Sequence, residues 1–476
     1  MDTPHMEAPR SPNPRRRPRS KMQIFKEAYL PTIILAVTIV MIVIFIIGAA
    51  VSGDPYTEAQ PSVPTTTVPS TAQTDPTQST APLWLQQDAD ARLAEAEQLA
   101  LNYEFAEAIA LIEDFPGDRN QYPQLRDAMN RYQQILNSMV SWDAGDVVNL
   151  SFQLLIADPA RAFADAENGS SYQSNHVTTS EFSAILQQLY DNGYVLVRMD
   201  DFYEQVYNNT TGRYVFTQKQ LQLPAGKTPI MLTETNANYY TYMVDGNGDG
   251  QPDARGDGFA CRLYHDETGF YNELVNADGS VSTGAYDVVP LLEAFIAANP
   301  DFSYKGARAI IAFSGYNGVL GYRINSTTLS ADALQAERDG AAAIVQALRD
   351  AGYDLACYSY NNVSYGSDRT AAKVQEDIQK WLNEISPWIG ALDMLVFARD
   401  SDIAGTETYS GNSKFHVLYN AGFTYFLGVG TGAWNQVQDQ YVRHNRMNVS
   451  GYYLQNAPEL FAGMFDAAAV LDSARA

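Results

Sequence analysis

The first residues with a chemical signature are Thr233-Glu234-Thr235-Asn236. They follow the apolar run Pro229-Ile230-Met231-Leu232, entered through the turn-forming Leu223-Pro224-Ala225-Gly226, which predicts a short buried strand. In parallel α/β architectures, ligands and reactive groups gather at the C-terminal ends of strands. Side chains alternate along a strand, so Glu234 is expected to point away from the face that carries Thr235. A second cluster is Asp245, Asn247, Asp249 and Asp253. Oxygen-bearing side chains at positions 1, 3, 5 and 9, with Gly250 at position 6, can wrap a hard cation. The twelfth position is Gly256 rather than an acid, and Asp257 lies one step on. The stretch reads either as a structural calcium loop or as an acidic, glycine-rich surface loop.

Other chemistries are excluded more directly. The five histidines, His5, His176, His265, His416 and His444, do not pair at metal-ligand spacing. Two cysteines, Cys261 and Cys357, rule out a disulfide framework and a cysteine zinc site; a single disulfide between them is neither required nor forbidden. Ser314-Gly315 lacks the frame of a nucleophile elbow, and the glycines from 428 to 432 lack the lysine of a phosphate loop. Tyrosine is abundant, with 30 copies. Tyr239, Tyr240, Tyr316, Tyr322, Tyr358, Tyr360 and Trp434 fall near predicted strand ends, where rings stack on sugars or simply pack the core.

The elements that must position these residues alternate regularly. Strands are predicted at 147–156, 194–199, 229–232, 309–313, 355–360, 394–398 and 425–429, with helices at 181–192, 288–298, 330–351 and 373–385 between them. That alternation predicts a parallel sheet with crossover helices; at about 330 residues, 145–476 suits a single β/α barrel with insertions. Residues 83–142 are helical, and AEQLALNYEFAEAIALIEDF is similar to one tetratricopeptide-type hairpin. It is expected either to bind a protein partner or to form a collar on the barrel. Residues 52–82, rich in Thr, Pro and Ser, predict an extended stalk.

Residues 30–51 contain no charge, and 22 residues at ~1.5 Å each reach about 33 Å, enough to cross a membrane once. The basic tail 1–29 precedes this run and is expected to be disordered and cytoplasmic, leaving the rest outside the cell. Net charge is −24, and beyond the basic first 30 residues the body carries −28, which excludes nucleic acid as a partner.

Several passages resemble the polysaccharide deacetylases, metal-dependent carbohydrate esterases, in a membrane-anchored branch. They include Asp158-Pro159, EFSAILQQLYDNGYVLVRMDD, PIMLTETNANYY, GDGFACRL, the long passage from Gly284 to Arg323, and YVRHNRMNVSGYYL, in the family's order across residues 145–455. The resemblance implies a deformed barrel of about seven strands. It also implies a metal held by one Asp and two His, with a second Asp as general base. Aligned on the family's motifs, the base falls on Thr235 and the ligands on Asn236, Tyr358 and Asn362. The motif's third loop falls on Phe397 to Asp402, without its proline. Amides and a phenol are poor substitutes for imidazole and carboxylate. No catalytic zinc is therefore expected. The resemblance implies a membrane-anchored pseudoenzyme that binds or scaffolds cell-wall polysaccharide or peptidoglycan. The alternatives are a hydrolase with a rewired site using Glu234, Asp400 or Asp402, and an adaptor acting through the helical hairpin.

Overall fold

The computed structural model describes residues 82–366 and 368–475. The apolar run 30–51, the basic tail and nearly all of the stalk lie outside them. No helix among the described residues is long and apolar enough to cross a membrane.

Seven parallel strands close a barrel: β1 (Val148–Gln153), β2 (Thr228–Thr235), β3 (Ile310–Phe313), β4 (Asp354–Cys357), β5 (Met394–Val396), β6 (Tyr425–Val429) and β7 (Tyr441–Asn448). Each pairs with the next in chain order, and β7 returns to β1 through Met447↔Leu150 and Asn448↔Ser151. The expected strand count holds, but one member differs. Tyr194–Leu196 pairs with the first residues of β2, at Thr228 to Ile230, and beyond them has only a single bridge from Leu196 to Ser303, while β3 takes over that edge of β2 from Thr233 onward. The seventh place belongs to β7, whose sequence YVRHNRMN looks too polar for a buried strand. Arg443, His444 and Arg446 are nevertheless 2%, 0% and 1% exposed. Each finds hydrogen-bonding partners, which is what burial of such groups demands.

Helices cover the outside. They include α1 (Thr179–Asp191), opened by a Thr178/Glu181 capping box; α2 (Val288–Ala298), capped by Asp287; and α3 (Ala331–Ala351). Gly352 ends α3 at φ +100°, and a Cβ there would stand 2.7 Å from the Gly306 carbonyl oxygen. Antiparallel additions were not foreseen: the hairpin Tyr203–Asn208/Arg213–Gln218, the three-stranded sheet Arg262–Asp266, Gly269–Val275 and Val281–Gly284, the strand Asn435–Gln438 against β7, and Met139–Trp142, the end of the stretch expected to be helical, which pairs with Leu221–Pro224 instead.

Strand alternation sorts the side chains. Ile230 and Leu232 of β2 join the outer core beneath the helices, whereas Met231 joins the barrel interior with Ile310, Ala312, Ala356, Val396 and Leu427. That interior is continuous with the apolar faces of the helices Leu83–Leu101, Phe105–Glu113 and Pro123–Asn137. Phe105, Ile112, Leu125 and Tyr132 are buried there, and the Tyr103 hydroxyl donates to the Asp301 carbonyl at 2.6 Å. Each large side chain so buried contributes about 1.5–3 kcal/mol. Of the two roles open to the helical region, the structure displays the collar: its apolar faces close the N-terminal end of the barrel. The other end stays open.

Candidate functional site

At the C-terminal end of the strands lies a polar cleft of about 550 Å³. Thr235, Asn236, Tyr358 and Asn362, drawn from the ends of β2 and β4, all line it. So do Ser151, Arg399, Asp400, Arg446, Asn448 and Tyr452, from the ends of β1, β5 and β7.

The backbone around this mouth is held in conformations that cost energy. Asn236 (φ +65°), Ser359 (+64°), Asn362 (+51°), Arg399 (+53°) and Asp400 (+55°) are all left-handed without being glycine. Each costs on the order of 1–2 kcal/mol, and such strain persists where the surrounding structure fixes it, typically at ligand sites.

The side chains are individually anchored. The Thr235 hydroxyl donates to the Phe152 carbonyl at 3.0 Å. The Asn236 amide oxygen accepts from the Tyr240 hydroxyl, and the Asn362 amide donates to that same hydroxyl at 3.3 Å. The Tyr358 hydroxyl accepts the Arg399 backbone N–H at 3.2 Å, and burial pushes its phenol up, so it stays neutral. Arg446 forms the floor. Its guanidinium reaches Asp400 at 2.7 Å, Asn448 at 2.7 Å, the Phe397 carbonyl at 3.0 Å and Ser151 at 3.3 Å. Asn448 in turn donates to Asp400 at 2.8 Å. Asp400 is thus the one carboxylate among the lining residues, and it is held by an arginine and an amide.

Of the other acids, Glu234 points away from the cleft into the outer layer, as alternation requires. Asp402 pairs with Arg443 at 3.0 Å and accepts from Tyr409 at 2.8 Å. Neither reaches the cleft. No histidine lines it. His176 is buried against the Leu154 carbonyl, and burial lowers its pKa to about 4. His444 is buried between the Asn445 and Ala144 carbonyls, and burial lowers it as well. Among the described residues, no three His, Cys, Asp or Glu side chains stand close enough to hold a metal. The donors lining the cleft do not fit a catalytic zinc.

The aromatic candidates need correction. Tyr239, Tyr240, Tyr322 and Tyr360 are each less than 9% exposed, so their faces cannot receive a sugar. Arg262 covers the Tyr322 ring at 4.4 Å, and Arg443 lies 5.0 Å from the Trp434 ring. Tyr316 remains, 49% exposed and in contact with Tyr240. The structure adds Tyr242, stacked on Tyr240, and Tyr452, which lines the cleft with 53% of its surface exposed. Arg446, Ser151 and Asn448 were also missed, because a sequence gives no sign that β7 closes onto β1. Cys261 and Cys357 are both buried and free.

The acidic loop folds around its first residue. Asp245 accepts backbone N–H groups from Asn247, Gly248 and Gly250 at 3.2, 2.7 and 2.6 Å. Asn247 and Asp249 accept from Asp249 and Gln251, both at 2.9 Å, while Asp253 accepts from Arg255 at 2.6 Å.

No family model and no curated protein matches the chain. Among solved structures it is similar to the Streptococcus pyogenes deacetylase PplD in complex with acetate, at 10% identity and a TM-score of 0.30, over 67% of this chain and 98% of that one. Similarity this low assigns no activity, and the fold rests on the strand pairings themselves.

Proposed function

We propose that the chain is a membrane-anchored, extracytoplasmic, deacetylase-like barrel that binds cell-wall polysaccharide or peptidoglycan without cleaving it. The observation that carries this reading is the gathering of Thr235, Asn236, Tyr358 and Asn362 in one strained, polar cleft without a histidine. Such a cleft offers fixed hydroxyl and amide partners to sugar hydroxyls, and exposed Tyr452 offers a ring face. The charge-free run 30–51 supports the anchor.

The test is co-sedimentation of residues 82–476 with purified cell-wall polysaccharide. Binding is expected, and Asn362→Ala with Tyr452→Ala should weaken it at least tenfold while leaving melting within a few degrees. Equal binding by the double variant would remove the cleft from the account. Chelator-sensitive release of acetate would favour hydrolysis through a rewired site.

A further inference from the structure

The charges lining the cleft do not cancel. Arg446 is neutralised by Asp400 at 2.7 Å, which leaves Arg399. The Nε of Arg399 donates to the Asn362 carbonyl at 3.0 Å, and its backbone N–H to the Tyr358 hydroxyl. Its two terminal nitrogens have no hydrogen-bond partner and no acid within ion-pairing distance among the described residues. Arg399 is also the first of two consecutive left-handed residues, at φ +53°, ψ +36°, with Asp400 at φ +55°. This kink sends two adjacent side chains to different tasks. Asp400 locks the floor through Arg446 and Asn448, and Arg399 presents an exposed fork to the cleft. A glycine would adopt that backbone without strain, yet an arginine occupies it.

We infer that the cleft recognises a sugar chain carrying an anionic group, a carboxylate or a phosphate, received by the terminal nitrogens of Arg399. A guanidinium fork matches the paired oxygens of either group. The body's strong negative charge opposes the approach of a polyanion, so recognition is local, one anionic group to one arginine. This inference rests on the glycan-binding reading above and adds the chemical class of the ligand.

Titration calorimetry of residues 82–476 with three trimers tests it: N,N′,N″-triacetylchitotriose, trigalacturonate and a glycerol phosphate trimer. At least one anionic trimer should bind about tenfold more tightly than the neutral one; which of them does so identifies carboxylate or phosphate. Arg399→Gly, which relieves the kink and so does not threaten folding, should remove that advantage. Arg399→Lys should keep part of it. Neutral binding equal to or tighter than both anions, or an anionic preference that survives in Arg399→Gly, overturns the inference and leaves the glycan-binding reading standing. No binding of any trimer, together with no binding to wall polysaccharide, overturns both.

Discussion

Glu234 of β2 and Asp287, the cap of α2, stand near one another in the layer between barrel and helix, both 1% exposed, and one carboxyl oxygen of each has no hydrogen-bond partner. Asp287 also accepts the Leu155 and Val288 backbone N–H groups at 3.0 and 2.9 Å, but no cation among the described residues joins the pair. Desolvation and mutual repulsion raise Glu234 well above its ordinary range, and desolvation raises Asp287 to about 6. Both shifts favour the protonated form, so folding raises the pair's affinity for a proton.

That affinity sets a pH dependence of stability. An acid whose pKa is raised by folding contributes fully below its unfolded value and loses the contribution as pH rises through the folded value. Asp354, raised to about 7 mainly by burial, acts in the same direction. Relative to Glu234→Gln, residues 82–476 should therefore lose stability as pH rises from 5 to 8, each tenfold change in proton affinity on folding being worth about 1.4 kcal/mol; the buried His176 and His444, whose pKa values burial lowers, act in the opposite direction below about pH 6.5 in both proteins and cancel in that comparison. Glu234→Gln supplies a permanent donor and should flatten much of the fall. Denaturant melts of both proteins at three pH values check this; a stability difference that does not change over that interval would show that folding does not raise the proton affinity of Glu234.

The C-terminus is tied down by a buried ion pair. Arg475 donates to Glu181 at 2.8 Å, with side-chain exposures of 3% and 0%, and also to the Gln173 and His176 carbonyls. Arg475→Ala strands a buried carboxylate and should cost about 3–5 kcal/mol. An effect under about 1 kcal/mol in urea denaturation would mean that water replaces the arginine.

Asp245, Asp249 and Asp253 do not stand close enough together to hold a metal as the loop is folded, so calcium should raise the melting temperature only by drawing them and Asn247 together. A ligand bound only by the folded state adds about 2.7 kcal/mol at a hundred times its Kd. Asp249→Ala should abolish the shift. An unchanged melt at millimolar calcium would mean that the loop is closed by its backbone amides alone.

Much of the fold was readable because its strands are short apolar runs bounded by turn residues and separated by amphipathic helices. β7 was not readable, since Arg443, His444 and Arg446 are buried only through partners far away in sequence. Thr235, Asn236, Tyr358 and Asn362 could be found from motif order alone. Arg446 and Asn448 could not, because they enter the cleft only when the barrel closes. The sugar-stacking candidates failed for a simpler reason: a tyrosine at a strand end has the same sequence signature whether its ring is buried or exposed.

Since four motif positions line one cleft, replacing them should build a metal site. Thr235→Asp, Asn236→Asp, Tyr358→His and Asn362→His together should bind zinc with measurable stoichiometry by calorimetry, where the unaltered protein binds none there. Failure in a variant that still folds would mean that the four positions do not converge closely enough to share an ion.

Binding without hydrolysis makes its sharpest forecast for acetate release. Residues 82–476, supplied with equimolar zinc and an N-acetylated chitooligomer near pH 7, should release no acetate above the protein-free control by proton NMR. The lining offers no imidazole to hold a water-activating metal, and its one carboxylate, Asp400, is held by Arg446 and Asn448; metal activation of water and a free base each normally contribute several kcal/mol of barrier lowering. Sustained acetate release, abolished by a chelator and by Asp400→Asn, would contradict the account and establish a rewired catalytic site.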